Sequence, residues 1–299
     1  MNGIRGIGWM LFAFAVTATS LWGQSAREME DEYRLRVRRA DNDSATAFDY
    51  LGAAEASRFM RRWGDGAFYL KRAEVAARHP SELNGALREE LNYLLATGVP
   101  LSDMKATFAA AREEWNIPVI VVAGWVNAFP ELLVGGEYDV LIEGLSADAA
   151  DDEHRCACYA PKAWMHRVAG RMEQSRVYWD SLNYSSAEMP DVSGSFDEAE
   201  WRAQRARNLA RAGRYDESRE ELAEAMKVNV TAFESVSILR RRAQTFAEMG
   251  EVESAVADLE ALLQAPSPVT VHTIRSRVTW EPIRNHPAFQ ELLRRHPTP

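Results

Sequence analysis

The chain has 299 residues, 46% of them hydrophobic and 26% charged, which is the balance of an ordinary globular protein. Its 35 basic residues stand against 44 acidic ones, and the formal net charge of −9 argues against non-specific nucleic-acid binding. The length suits two ordinary domains or one elongated solenoid.

Taken in chain order, Arg5 is a short positive region and Ile7–Val16 is an apolar run broken only by Gly8. The stretch that follows, up to Ala26, offers small residues for cleavage. This is the pattern of a secretory signal over 1–26, with removal after Gly23 or Ala26 and a periplasmic or secreted mature protein. The alternative is anchoring by an uncleaved N-terminal helix, although the run is short for a membrane span. No later segment approaches spanning length, so no stable membrane insertion is expected once the signal is removed. Residues 27–44 are dense in Arg and Glu and read as a charged linker or a frayed helix. From Ala45 onward the apolar period is 3.6 residues, with no sustained strand alternation. Ser195 with Glu198, and Thr231 with Glu234, are capping-box patterns, and Asn116 before Pro118 marks another helix start. Turns are expected at 79–82, 97–102, 146–155, 185–195 and 265–271.

Gly170, Gly213 and Gly250 each close one amphipathic stretch and open another. Two residues past the glycine stands Met172, Tyr215 or Val252. Five past is small: Ser175, Ser218 or Ala255. Nine past is large: Trp179, Leu222 or Leu259. Twelve past stands Leu182, Ala225 or Leu262. A unit this short cannot bury its own apolar face, so neighbouring units must stack.

This pattern resembles the tetratricopeptide repeat. The unit from Ala199 continues through Ala206, Leu209, Gly213, Tyr215, Ser218, Leu222 and Ala225. Arg202 takes the family's aromatic position, with Trp201 one place early, and Val230 takes the place of its proline. Tyr159, Ala163, His166 and Gly170 begin the unit before; Leu239, Ala243, Phe246 and Gly250 begin the unit after. A weaker unit runs from Phe48 to Pro80 with Gly64 at its turn, and another passes through Gly136, Tyr138, Leu141 and Leu145. The tail Trp280–Leu293 resembles the closing segment of bacterial helical-repeat regions linked to serine/threonine kinases or to TolB-like regulators. The sequence has no Gly-rich phosphate loop and no HRD or DFG motif, so kinase activity does not carry over. The resemblance implies an all-α solenoid of stacked antiparallel helix pairs over 45–265, closed by a C-terminal cap over 266–299. In that cap Trp280, Ile283, Phe289 and Leu292 supply apolar cover, and Asn285 with Pro287 starts a short helix.

Candidate chemistry is sparse. Cys156 and Cys158 read as two small, partly buried residues, as a disulfide, or as a metal site with His154; no second ligand pair exists for structural zinc. The histidines are scattered without a His-Glu-x-x-His pair, and no Gly-x-Ser-x-Gly elbow appears. His166 replaces an apolar repeat residue and is expected to be partly buried and satisfied. No catalytic constellation, metal or cofactor is read, and the chain is not expected to be an enzyme.

The resulting expectation is an exported scaffold that binds a protein or peptide partner in a concave groove. In the repeat family, positions 2, 5, 9 and 12 of the first helix line that groove. Carried onto this sequence they give Arg58, Arg61, Trp164, Arg167, Arg207, Arg240 and Gln244. Forked guanidinium donors there favour an acidic peptide or a free C-terminal carboxylate. Against this, the same arginines can pair with glutamates of neighbouring helices. Two other readings are a closed helical ring that captures a carbohydrate or another ligand between inward tryptophans, and an enzyme accessory with a site in 85–150.

Overall fold

The computed structural model describes residues 26–114, 129–132, 152–185 and 195–297, with isolated positions at 139, 142, 143 and 145. The export signal, the helix start at Asn116 and Pro118, and most of the unit at 136–145 lie outside the described residues. The described chain is all helical. Helix α1 covers 26–40. It is followed by α2 (Ala47–Phe59), α3 (Trp63–Ala76), α4 (Pro80–Thr97) and α5 (Leu101–Glu114), then a 3-10 turn at Pro130–Leu132. Helices α6 (Asp152–Val168), α7 (Met172–Ser185), α8 (Ser195–Ala212), α9 (Tyr215–Ala225), α10 (Ala232–Met249) and α11 (Val252–Gln264) form three hairpins. The chain closes with α12 (Val271–Ser276), a 3-10 helix at Val278–Ile283 and α13 (Pro287–Arg295). Successive helices pack on one another as an α-solenoid of paired helices. No helix among the described residues is long and apolar enough to cross a membrane.

The repeat is written in its turns. Gly170, Gly213 and Gly250 adopt left-handed φ values of 76°, 86° and 77°, which glycine reaches without steric penalty. The next N–H then returns to the preceding helix: Arg171 to the His166 carbonyl at 2.8 Å, Arg214 to Leu209 at 2.9 Å and Glu251 to Phe246 at 2.9 Å. This is the Schellman closure. The α2–α3 hairpin makes the same bond, Arg62 to Ser57 at 2.8 Å, but its left-handed residue is Arg61, with φ 55°. Gly64, which the sequence pattern puts at this turn, lies inside α3.

The second helix of each hairpin buries its small residue at Ser175, Ser218 and Ala255, and its large one at Trp179, Leu222 and Leu259. The small residue lets the helices close up; the Ser218 hydroxyl donates to the Ala206 carbonyl across its hairpin at 2.7 Å. The position two past the glycine is less regular, with Met172 and Tyr215 exposed and Val252 buried. Thr231 caps α10 as its sequence suggests: its side chain accepts from the Glu234 N–H at 3.3 Å, and Glu234 accepts from the Thr231 N–H at 2.8 Å. The turn expected at 79–82 is shorter, because α4 starts at Pro80; Glu82 accepts from the Arg78 and His79 N–H groups at 2.7 and 3.0 Å.

Both ends of the described chain reach one core. Trp280, Ile283, Phe289 and Leu292 are buried against Val256, Leu259 and Leu263 of α11. His286, rather than Asn285, caps α13, its Nδ1 accepting from the Ala288 N–H at 3.3 Å. Met29 and Phe59 enter the same core, and Phe59 stacks on Phe233 with ring centroids 4.3 Å apart. Charged residues 27–44 are thus a docked helix over much of their length, with Met29, Tyr33 and Ala40 buried. Thr270 Oγ1 also donates to the Ala96 carbonyl at 2.9 Å, tying α4 to α12. The solenoid therefore folds back until α2 touches α10, the α2–α3 turn meets the end of α11 and α4 meets the start of α12.

Candidate functional site

Helices α6, α8 and α10 are the first members of consecutive hairpins, and α8 packs directly on α10. Residues three or four apart on a helix share a face. On α8 this aligns Glu200, Gln204, Arg207 and Arg211; on α10 it aligns Arg240 or Arg241, Gln244 and Glu248. The two rows interlock into one polar layer with an upper and a lower part.

In the upper part Glu248 bridges two cations, Arg167 at 2.7 Å and Arg211 at 3.0 Å. The Arg211 guanidinium lies over the rings of Trp164 (4.3 Å) and Trp179 (4.7 Å), which meet edge to face. Burial drives the Arg211 pKa down to about 10, against the pull of Glu248. Burial also opposes ionisation of Glu248, yet Arg167 and Arg211 outweigh it and hold its pKa below the ordinary value. The upper part is an ion-pair network in which one carboxylate serves two guanidiniums, and Arg211 Nη1 and Nη2 are buried without an acceptor.

The lower part is different. Arg241 engages Glu200 through Nε at 2.6 Å and through Nη2, and also donates to Gln204. Arg207 donates to Gln204 Oε1 at 2.6 Å and to Gln244 Oε1, both neutral acceptors, and its Nε is buried without an acceptor. Arg240 has neither a hydrogen bond nor an ion pair among the described residues. Burial lowers its pKa to about 9, helped by repulsion from Arg241, Arg277 and Arg58 and opposed by Glu200. Arg207 is pushed well below its usual value by burial and by Arg211, Arg241 and Arg240. Both residues keep partial exposure, although Arg207 Nε itself is enclosed.

The residues expected in the groove thus divide. Arg207, Arg240 and Gln244 come together in the lower part. Arg167 belongs to the upper network, neutralised by Glu248. Trp164 is 1% exposed and is a core residue covered by Arg211, not a groove surface. Arg58 is held by both carboxylate oxygens of Glu89. Arg61 points across the fold, donating to the carbonyls of Leu262, Leu263, Ser267 and Val269. The family positions for the α2–α3 unit carry over poorly because this unit docks on the far end of the chain. The sequence reading missed Glu200, Gln204, Arg211, Arg241 and Glu248, although their spacing along α8 and α10 marks one face.

Outside this layer, Arg277 pairs with Glu131 at 3.2 Å and lies over the Phe129 ring. His166 is buried and stacks on Tyr178, and its Nδ1 lacks the partner expected for a satisfied histidine. Cys158 is buried, and the side chain of Cys156 lies outside the described residues. No group of His, Cys, Asp or Glu among the described residues is arranged to hold a metal ion. A sugar-stacking platform needs an open aromatic face, and neither Trp164 nor Trp179 presents one. No protein-family model matches the chain, and no curated protein or solved structure matches it.

Proposed function

We propose that this chain is an exported, tetratricopeptide-like interaction scaffold that holds an acidic segment of a protein or peptide partner on the face shared by α8 and α10. It acts by binding, without chemistry of its own, in the periplasm or outside the cell. The observation that carries this reading is the pair Arg207 and Arg240: half-buried guanidiniums on adjacent helices, supported by Gln204 and Gln244, with no carboxylate of their own. A buried charge without a counter-charge is costly, and an incoming anion relieves that cost. Guanidinium groups present several donors in a plane and suit oxyanions better than lysine does. Stacked helix pairs offer an extended surface on either side for the rest of a peptide.

The test is fluorescence polarisation with labelled peptides of equal length that are acidic, neutral or basic. The acidic peptide should bind, and Arg240→Glu should weaken it by about a hundredfold, the effect of replacing an attractive charge with a repulsive one at a partly desolvated site. Equal binding of acidic and neutral peptides would reject the reading.

A further inference from the structure

We infer that the Arg207–Arg240 pair is a socket for a phosphate-monoester dianion rather than for a single carboxylate. This rests on the reading of the α8–α10 face as the binding surface and names the group recognised at its centre. The argument is one of local charge. Arg241 is neutralised by Glu200, while Arg167 and Arg211 share Glu248. Among the described residues Arg207 and Arg240 form no ion pair, so the lower part of the layer carries two guanidinium charges beyond the one that Glu200 cancels through Arg241. One carboxylate cancels only half of that. A phosphate monoester carries about −1.5 to −2 near neutral pH and offers three acceptor oxygens.

The donors fit the same class. Arg207 Nε is buried with no acceptor, while its two terminal nitrogens are occupied by Gln244 and Gln204. That arrangement fixes the plane of the guanidinium and leaves Nε–H and one N–H on each terminal nitrogen to offer. Arg240 has its whole fork uncommitted. The two arise from helices that pack on each other, close enough for Arg240 to repel Arg207. Arg58 and Arg277, both ion-paired, stand near enough to Arg240 to repel it and add to the positive field. Glu200 and Glu248 are the acidic groups that face this pair, and each is already engaged by arginine. The phosphate is either a free small molecule or a phosphorylated side chain of the partner; the chemistry at the socket is the same.

The test uses the full chain in phosphate-free buffer at constant ionic strength, titrated by calorimetry with inorganic phosphate, O-phosphoserine and acetate. Phosphate and phosphoserine should bind saturably and at least about tenfold more tightly than acetate, as expected for added charge-assisted hydrogen bonds. Binding should weaken as pH falls through about 6, where the dianion takes up a proton. The double variant Arg207→Gln, Arg240→Gln should lose phosphate binding. It should also melt at or above the wild-type temperature without ligand, because it removes mutual repulsion. Acetate binding as tightly as phosphate, phosphate binding unchanged in the double variant, or a double variant that no longer folds would each overturn the inference.

A phosphoserine peptide that binds well above free phosphoserine identifies a phosphorylated partner; equal affinities identify a free phosphate, and either result supports the socket. If phosphate fails while an unphosphorylated acidic peptide still binds and is weakened by Arg240→Glu, the phosphate assignment falls and the scaffold reading stands. If neither binds, both fall.

Discussion

Arg61 Nη2 donates to the Leu263 carbonyl oxygen at 3.0 Å, joining positions 202 residues apart. The same guanidinium reaches the carbonyls of Leu262 and Val269 at 3.3 and 3.2 Å. Leu262 and Leu263 end α11, where carbonyls lack helical partners and the helix dipole is negative. A cation placed there satisfies both needs. The arginine holds this position in the left-handed conformation that glycine takes in the other three hairpins.

Two substitutions at Arg61 separate the backbone from the side chain. Arg61→Ala keeps the strained conformation and loses the bonds, so it should cost roughly 2–4 kcal/mol in urea unfolding. Arg61→Gly loses the same bonds but relieves the strain and should be about 1 kcal/mol less damaging. Equal losses in the two variants would show that the backbone stores no strain there.

Glu248 is the keystone of the upper network. Glu248→Ala leaves Arg167 and Arg211 buried beside each other and should cost roughly 3–5 kcal/mol. The folded pKa lies below the ordinary 4.5, so the stability it contributes is complete above the unfolded value and is lost as pH falls through the folded one. The stability gap between wild type and Glu248→Gln, measured by denaturant at several pH values, should therefore be widest above pH 4.5 and close as the solution is made more acid. A gap that widens on acidification would contradict the pairing.

Packing makes two further demands. Leu222 lies between the helices of its hairpin, and Leu222→Ala should cost roughly 2–5 kcal/mol through the cavity it leaves. Removing residues 272–299 strips Trp280, Ile283, Phe289 and Leu292 from α11 and uncovers Val256, Leu259 and Leu263. The truncated chain should aggregate or fail to accumulate, since an end repeat needs a polar cover. A soluble truncation as stable as the full chain would show that the tail is dispensable.

What was legible in the sequence is local. Gly170, Gly213 and Gly250 mark turns, and the spacing from each to its small and large residues fixes which helix face is buried, because both signals act within one hairpin. The apolar tail was legible for the same reason. Arg61 was hidden because the usual mark of a left-handed turn is glycine, and Gly64 stands three residues away as a decoy. A helix over 27–44 was one of two readings, and its docking was hidden because only Met29, Tyr33 and Ala40 reach the core from an otherwise charged surface. The site was half legible: Arg207, Arg240 and Gln244 follow from the groove positions that the resemblance to the repeat family implies, whereas the pairing of Glu248 with Arg167, 81 residues away, depends on how the hairpins stack. No local pattern encodes that stacking angle, nor the return of α2 to α11.

The most direct test of the account is hydrogen–deuterium exchange of the full chain with and without a saturating acidic peptide. Binding at the shared face should slow exchange in 200–212 and 236–248 and leave 215–225, on the second helix of the α8–α9 hairpin, unchanged. Protection confined to 215–225, or protection in 200–212 and 236–248 that persists undiminished in Arg207→Gln, Arg240→Gln, would contradict it.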